Sequence, residues 1–273
     1  MPRAQDAVIP KSFETVIYKE ENGVAWITLN RPEKMNSFNQ TMMDEMQAIW
    51  AGLRNSKTVR CVVLTAAAER AFCTGVDRDI FNDTSDFDSK KAYYDDFSRS
   101  LGPRSNEMWI PVIAAVRGIS CGGAFYMLGE VDFIIAADDA TFFDPHVTTG
   151  ITPVYEAIHM LQKMPFQEIM RLSLLGSYER LSAKRAHEIG LVSEVVPGSE
   201  LLERARWAAE TIASQPAIAT QGTVRTLWAA RSMGRFEALA AGPFMIKNFD
   251  DADSAAEGQK IFASKKRIDW RLR

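Results

Sequence analysis

The sequence predicts an α/β core with parallel strand pairing, followed by a tail made only of helices. Three observations carry this. Apolar runs of strand length alternate with helical stretches up to about residue 198, and that alternation joins parallel strands through crossover helices. From Ser199 onward the strand-like runs stop, and residues 201–214, 218–232, 236–247 and 253–266 all read as helices. Within the core, two glycine-bearing turns, residues 71–77 and 118–124, each come after a buried-strand run, residues 61–65 and 112–116. Glycine past a strand lets the backbone turn tightly and brings bare N–H groups close to whatever sits there. Two such loops from neighbouring strands can aim two N–H donors at one oxygen, the geometry of an oxyanion hole.

The elements follow in order. Residues 13–18 and 24–29 read as strands joined at Glu21-Asn22-Gly23, where Asn-Gly favours a hairpin, and Asn30-Arg31-Pro32 then breaks the sheet. A helix over residues 39–54 places Met42, Met43, Met46, Ile49, Trp50 and Leu53 on one face, a pattern of core filling. Residues 81–94 mix polar, acidic and aromatic side chains without a period, which predicts a mobile loop leading into a helix over 93–108. The second glycine loop opens a buried helix over 122–128; strands 133–136 and 140–143 flank the turn at Asp138-Asp139. After Asp144-Pro145-His146 a helix carries Tyr155, Ile158, His159 and Leu161. Residues 1–198 therefore read as a core and residues 199–273 as a helical packing or oligomerisation region, with no repeat and no low-complexity segment.

Composition sets the outer limits. The chain has 273 residues, 47% apolar and 25% charged, which suits an ordinary globular protein with a sizeable core. A net charge of -3 argues against nucleic acid or an anionic membrane as the general partner, so an anionic ligand must be met by local basic groups. The first residues carry no apolar signal core, and the longest apolar stretch, 109–129, is interrupted by Arg117 and rich in glycine; a cytoplasmic setting is expected. Cys61, Cys73 and Cys121 form no C-x-x-C pair. Cys61 reads as a core residue, whereas Cys73 and Cys121 sit in the glycine loops, where a nucleophilic thiol is conceivable. No His, Cys, Asp and Glu set has metal-ligand spacing, so no metal is expected.

Five ordered segments resemble the crotonase superfamily, the enoyl-CoA hydratase/isomerase family. They are residues 29–38, the loop 71–77, residues 111–118 leading into the second loop, residues 181–196, and Glu257-Gly258 with Phe262 and Lys265-Lys266-Arg267. The resemblance implies a spiral of ββα units with C-terminal helices that pack as a homotrimer or a dimer of trimers. It implies an acyl-CoA thioester as substrate, with coenzyme A as part of that substrate and no permanently bound cofactor. It also implies oxyanion donors at the N–H groups of Val76 and Gly123, the latter reinforced by a helix N-terminus. Lys34, Met35 and Thr74 would hold the adenine region through main-chain groups, with Asp77 among the ligand contacts. Phe262 and Lys265, the latter from the tail's basic end, would hold the nucleotide end.

Hydratases of this family position one water between two glutamates. Counted from the second loop, those positions are Tyr126 and His146, and the usual Pro-Gly-x-Gly-Gly stretch is Pro153-Val154-Tyr155-Glu156-Ala157. The departure argues against the hydratase mechanism. It makes His146 the base by position, with an ordinary pKa suited to proton transfer, oriented by Asp144 or Glu156. Tyr126 reads as a hydrogen-bond donor, a weak acid or a pocket wall, and His159 and His187 as structural or surface residues. The acyl pocket is expected from residues 81–94, Trp109, Phe125 and Phe143. Three functions stay open: an acyl-CoA lyase or isomerase working through an enolate, a His-assisted C–C lyase or hydrolase, and a catalytically silent acyl-CoA carrier.

Overall fold

The computed structural model describes residues 9–78, 96–249, 251–264, 268 and 270–273. Strands β1 (Val16–Glu21) and β2 (Val24–Leu29) pair antiparallel across Asn22-Gly23, both at positive φ as a tight hairpin requires. β1 starts three residues later than the apolar pattern suggests. The amides of Glu14 and Thr15 donate to the Glu45 carboxylate, at 2.6 and 3.0 Å, instead of to a neighbouring strand.

Helix α1 (Gln40–Leu53) begins where Asn39 accepts the Met42 amide at 3.0 Å, and it buries the six apolar residues expected of it. Then come β3 (Cys61–Ala66), β4 (Ala71–Cys73), α2 (Ser98–Leu101), β5 (Val112–Val116), β6 (Ile119–Cys121), α3 (Ala124–Leu128), β7 (Phe133–Ala137) and β8 (Thr141–Phe143). The chain continues through α4 (Tyr155–Leu161), α5 (Phe166–Leu175), β9 (Leu181–Ser182), α6 (Ala183–Glu188) and β10 (Glu194–Val196). It ends in α7 (Leu201–Ala213), α8 (Ala217–Arg231), α9 (Arg235–Phe249) and α10 (Ala252–Ala263).

The strands divide between two sheets in a regular way. β3, β5 and β7 enter a six-stranded sheet of order β1-β2-β3-β5-β7-β10. Their immediate successors β4, β6 and β8 enter a four-stranded sheet of order β4-β6-β8-β9. Each turn of the chain therefore lays one strand in each sheet before moving one step along both, which is the expected ββα spiral. All these neighbours pair in parallel except β1–β2 and β8–β9.

Both faces of the large sheet are covered, so its central strands are continuously apolar. One face, including Val62, Leu64, Val112, Ala114 and Val116, joins Met46, Trp50 and Phe125 in the main core. The alternate residues Cys61, Val63, Ile113, Ala115, Ile135 and Ala137 meet Leu201, Ala205, Ala208, Ala209 and Ala213 of α7. The first helix of the tail is thus packed as part of the core. In α8 only Gly222 is buried, and α9 and α10 bury none of their described residues within the chain.

Two expectations need correction, and a third is untested. Among the described residues 96–108, the helix expected over 93–108 is the single turn α2: Gly102 precedes Pro103, which holds it extended at ψ 138°, and the chain leaves helical conformation there. The loop expected over 81–94 lies outside the described residues. The stretches 71–77 and 118–124 are not turns throughout: each contains a three-residue strand of the second sheet, β4 or β6, too short to show a sequence period, and Gly75 and Gly122-Gly123 come after these strands.

Candidate active site

Adjacent parallel strands deliver the site. β4, β6 and β8 are in register, with Ala71 beside Ile119 and Ile119 beside Thr141, so their C-terminal ends fall on one edge. Past these ends come Val76, Gly123 and His146, respectively. Positions far apart in sequence are thus side by side in space, at the sheet edge where α/β proteins gather ligands.

The first loop is held by Phe38, whose amide donates to the Gly75 carbonyl and whose carbonyl accepts from Asp77, both at 2.8 Å. Because strand residues alternate, the Val76 N–H points away from Phe38. Gly75 has φ +88°, and a Cβ there would lie 2.9 Å from the Gly123 nitrogen; a Cβ on Gly123 would run into the Phe38 ring at 2.5 Å. Only glycine at both places lets the two loops touch. Among the described residues, the Val76 and Gly123 amides donate to no internal acceptor. The expected helix dipole is weak, however: α3 spans five residues, which leaves the Gly123 N–H itself as the donor offered there.

His146 follows β8. Its Nδ1 bonds the buried carboxylate Asp144, whose Oδ1 also accepts the His146 amide at 3.1 Å. On the other side His146 Nε2 lies 3.4 Å from Glu156, itself buried. The imidazole rests against the second loop, its Cε1 3.5 Å from where a Cβ on Gly122 would stand. Burial disfavours the charged imidazole, but the Asp144 hydrogen bond and the charges of Asp144 and Glu156 outweigh it, and the pKa is raised above 6.5. Among the described residues Asp144 Oδ2 is buried without a hydrogen-bond partner, leaving this carboxylate committed to His146.

Tyr126 lies on the first turn of α3 and is buried. Burial first, then the charge and hydrogen bonding of Glu156, raise its pKa far enough that it remains a phenol and a donor. It forms edge-to-face contacts with Phe38 and Phe97, and these three rings wall the site. Glu156 accordingly stands between Tyr126 and His146.

The remaining expected residues divide. Thr74 Oγ1 donates to the Met35 carbonyl at 3.3 Å, and Met35 adopts a left-handed conformation, so Lys34, Met35 and Thr74 do converge. The amides of Lys34 and Met35 are spent on the turn at Arg31 and Pro32, leaving carbonyl lone pairs as their available groups. Asp77 is buried and its carboxylate pairs with Arg31 at 2.8 Å, bracing the loop. Phe262 on α10 is 84% exposed in the single chain. Lys265 lies outside the described residues. Burial pushes the thiols of Cys73 and Cys121 up to about 12, which removes them as nucleophiles at neutral pH. Phe125 is fully buried in the main core, and Phe143 is covered by the Arg180 guanidinium. Trp109 is stacked between Arg104 and Arg225 of α8, tied to the tail rather than the expected acyl pocket. His159, expected to be a structural or surface residue, meets the edge of the Tyr126 ring and pairs with Asp96. Its spacing of three from Glu156 on one helix was the available sequence signal. Among the described residues no helix is long and apolar enough to cross a membrane.

Comparison with known proteins agrees with this architecture. The family model for enoyl-CoA hydratase/isomerase matches residues 19–273. An (E)-benzylidenesuccinyl-CoA hydratase of Thauera aromatica is 31% identical, over 92% of this chain and 96% of that protein. A 1,2-epoxyphenylacetyl-CoA isomerase of Escherichia coli (strain K12) is 34% identical, over 75% of this chain and 78% of its own length. The crystal structure of an enoyl-CoA hydratase/isomerase from Mycobacterium paratuberculosis has a TM-score of 0.83 at 32% identity, covering 96% of this chain and 100% of that one. With its ββα spiral, its two touching glycine loops and a match along most of its length, the chain belongs to the enoyl-CoA hydratase/isomerase family.

Proposed function

We propose that this chain binds an acyl-CoA thioester and removes a proton from its α-carbon, using His146 as the base. The observation that carries the reading is the placement of the Asp144-supported imidazole against Gly122, beside the Gly75–Gly123 contact. The thioester oxygen would accept from the Val76 and Gly123 N–H groups. As His146 Nε2 takes the α-proton, the C–H electron pair forms the Cα–C1 double bond and the carbonyl pair moves onto that oxygen. Preformed donors stabilise the developing charge without reorganising. The resulting imidazolium lies between Asp144 and Glu156, so both carboxylates favour the product of proton transfer.

Lys34, Met35 and Thr74 are assigned to the adenine end, with Phe262 and Lys265 reaching it from a neighbouring copy in a trimeric assembly. The unburied helices α8–α10 support such an assembly. Phe38, Phe97 and Tyr126 suit an aromatic acyl part, and the two named relatives carry aryl groups in their substrates.

A second reading is hydrolytic C–C cleavage of a β-oxoacyl thioester. It is favoured by Tyr126 and His146 standing where hydratases have two glutamates. Water, deprotonated by His146, would attack the β-carbonyl. Breaking the Cα–Cβ bond would then release a carboxylic acid and a thioester enolate, which the imidazolium would protonate.

Mass spectrometry of saturated acyl-CoAs incubated with the protein in heavy water tests the first reading. Deuterium at the α-carbon, lost in His146→Ala, is expected. Binding without exchange would leave a silent carrier in its place, and an acid plus a shortened acyl-CoA from a β-oxoacyl substrate would select the second reading.

A further inference from the structure

We propose that His159 is a specificity-determining residue of this site, recognising an oxygen atom on the acyl chain beyond the reacting carbons and so selecting hydroxy- or oxo-acyl thioesters over plain hydrocarbon ones. The inference rests on the acyl-CoA reading above and concerns which acyl group enters.

His159 shares a helix with Glu156, three residues on, so both face the same side of α4. There the imidazole meets the edge of Tyr126, its ring centroid 6.1 Å away at 71°. It reaches this position because Gly129 opposes it: a Cβ on Gly129 would lie 2.5 Å from the His159 Cβ. His159 Nε2 pairs with Asp96 Oδ2 at 3.5 Å, and their side chains remain 19% and 24% exposed. The pair is thus partly exposed and lies against Tyr126, which itself sits one turn from Gly123.

A hydrocarbon chain passing Tyr126 would strip water from the His159–Asp96 pair and return no hydrogen bond. The imidazole's second nitrogen, Nδ1, bonds no described residue. Burial opposes the charged form of His159, but the Asp96 hydrogen bond and the charges of Glu130, Asp96 and Glu156 prevail and raise its pKa. In the protonated form, which these carboxylates favour, it offers Nδ1–H to a hydroxyl, ketone or ether oxygen. An acyl carboxylate is the poorer choice, because Asp96, Glu130 and Glu156 already surround this single cation.

The test is calorimetric binding of 3-hydroxybutanoyl-CoA, acetoacetyl-CoA and butanoyl-CoA to the full-length protein, with no turnover required. Wild type should bind the oxygenated esters at least about tenfold more tightly than butanoyl-CoA, since a built donor rejects a ligand lacking its acceptor. His159→Leu should abolish that ratio, and His159→Gln, which keeps a donor, should retain part of it. A purely structural role would weaken all three ligands together and leave the ratio unchanged, overturning the proposal. Wild type without a preference overturns it too, whether or not any variant folds. Because the readout is a ratio of affinities, absence of α-proton exchange would refute the proposed chemistry while leaving this recognition standing.

Discussion

The amide nitrogen of Gly123 lies 2.9 Å from where a methyl group on Gly75 would stand, so the two loops meet through backbone alone. Neither residue tolerates a side chain, for different reasons. Alanine at Gly75 must hold φ +88° and cover the Gly123 donor, whereas alanine at Gly123 must displace the Phe38 ring. Gly75→Ala should therefore lower the α-proton exchange rate by about 10²–10³-fold, the range for loss of an oxyanion donor. Circular dichroism should still report a folded chain, and near-wild-type exchange in the folded variant would sink the assignment of this pair.

His146→Ala should cost about 10²–10⁴-fold in exchange, as expected for loss of a positioned base. His146→Gln keeps the size and hydrogen bonding but cannot take a proton, and should fall equally far. Recovery of activity in the Gln variant would show that His146 positions the substrate instead.

Removing the Asp144 charge should move the pH profile in a fixed direction. His146 has a raised pKa in the fold, so as a base it becomes active only as pH rises through that value, above 6.5. Asp144→Asn withdraws the main support for the imidazolium, and the acid limb of the rate profile should shift to lower pH. Stability carries the opposite dependence. A raised folded pKa stabilises the native state fully below the unfolded value and loses that contribution as pH rises through the folded one. Denaturant unfolding should therefore separate wild type from Asp144→Asn more at about pH 5.5 than at about pH 9. An unchanged acid limb would refute the coupling.

What the sequence makes legible here depends on element length. α1 and the strands β2, β3, β5 and β7 show plain periods or apolar runs, because each is long enough to repeat and is buried on a wide face. β4 and β6 have three residues each and carry no period, yet their parallel register is what brings Val76 and Gly123 together. α5 and α6 are likewise not legible in the sequence. Ile169 and Leu172 are spaced for a helix, and Ser182 caps the next by accepting the Arg185 amide at 3.2 Å, but both stretches are short and mostly exposed. Tyr126 and His146 stand out in the sequence through the positions that the resemblance implies. The junction of Tyr126, His146 and Glu156 does not, because α3, β8 and α4 meet only in the folded chain.

Thiol reagents should leave the enzyme active. With Cys73 and Cys121 pushed up to about 12, about one thiol in ten thousand is ionised at about pH 8, and both are buried. Iodoacetamide at that pH should neither modify them in the native protein nor change the exchange rate. Rapid inactivation with label on Cys121 would restore the thiol to the mechanism.

The alanine face of α7 makes a prediction about the boundary between core and tail. Ala205 and Ala209 are fully buried against Val63, Ile113 and Ala115, so the helix backbone lies close on the sheet. A larger side chain has no cavity to fill and must push the helix outward. Ala209→Leu should destabilise the chain by about 1–3 kcal/mol, the usual cost of overpacking. At roughly 2–4 °C per kcal/mol for large domains, the loss is readable by thermal unfolding. Because the opposite face of the sheet packs toward α1, the exchange rate of the folded variant should stay near wild type. No change in the melting temperature would mean that α7 is loosely docked and belongs with α8–α10 as part of the appended region.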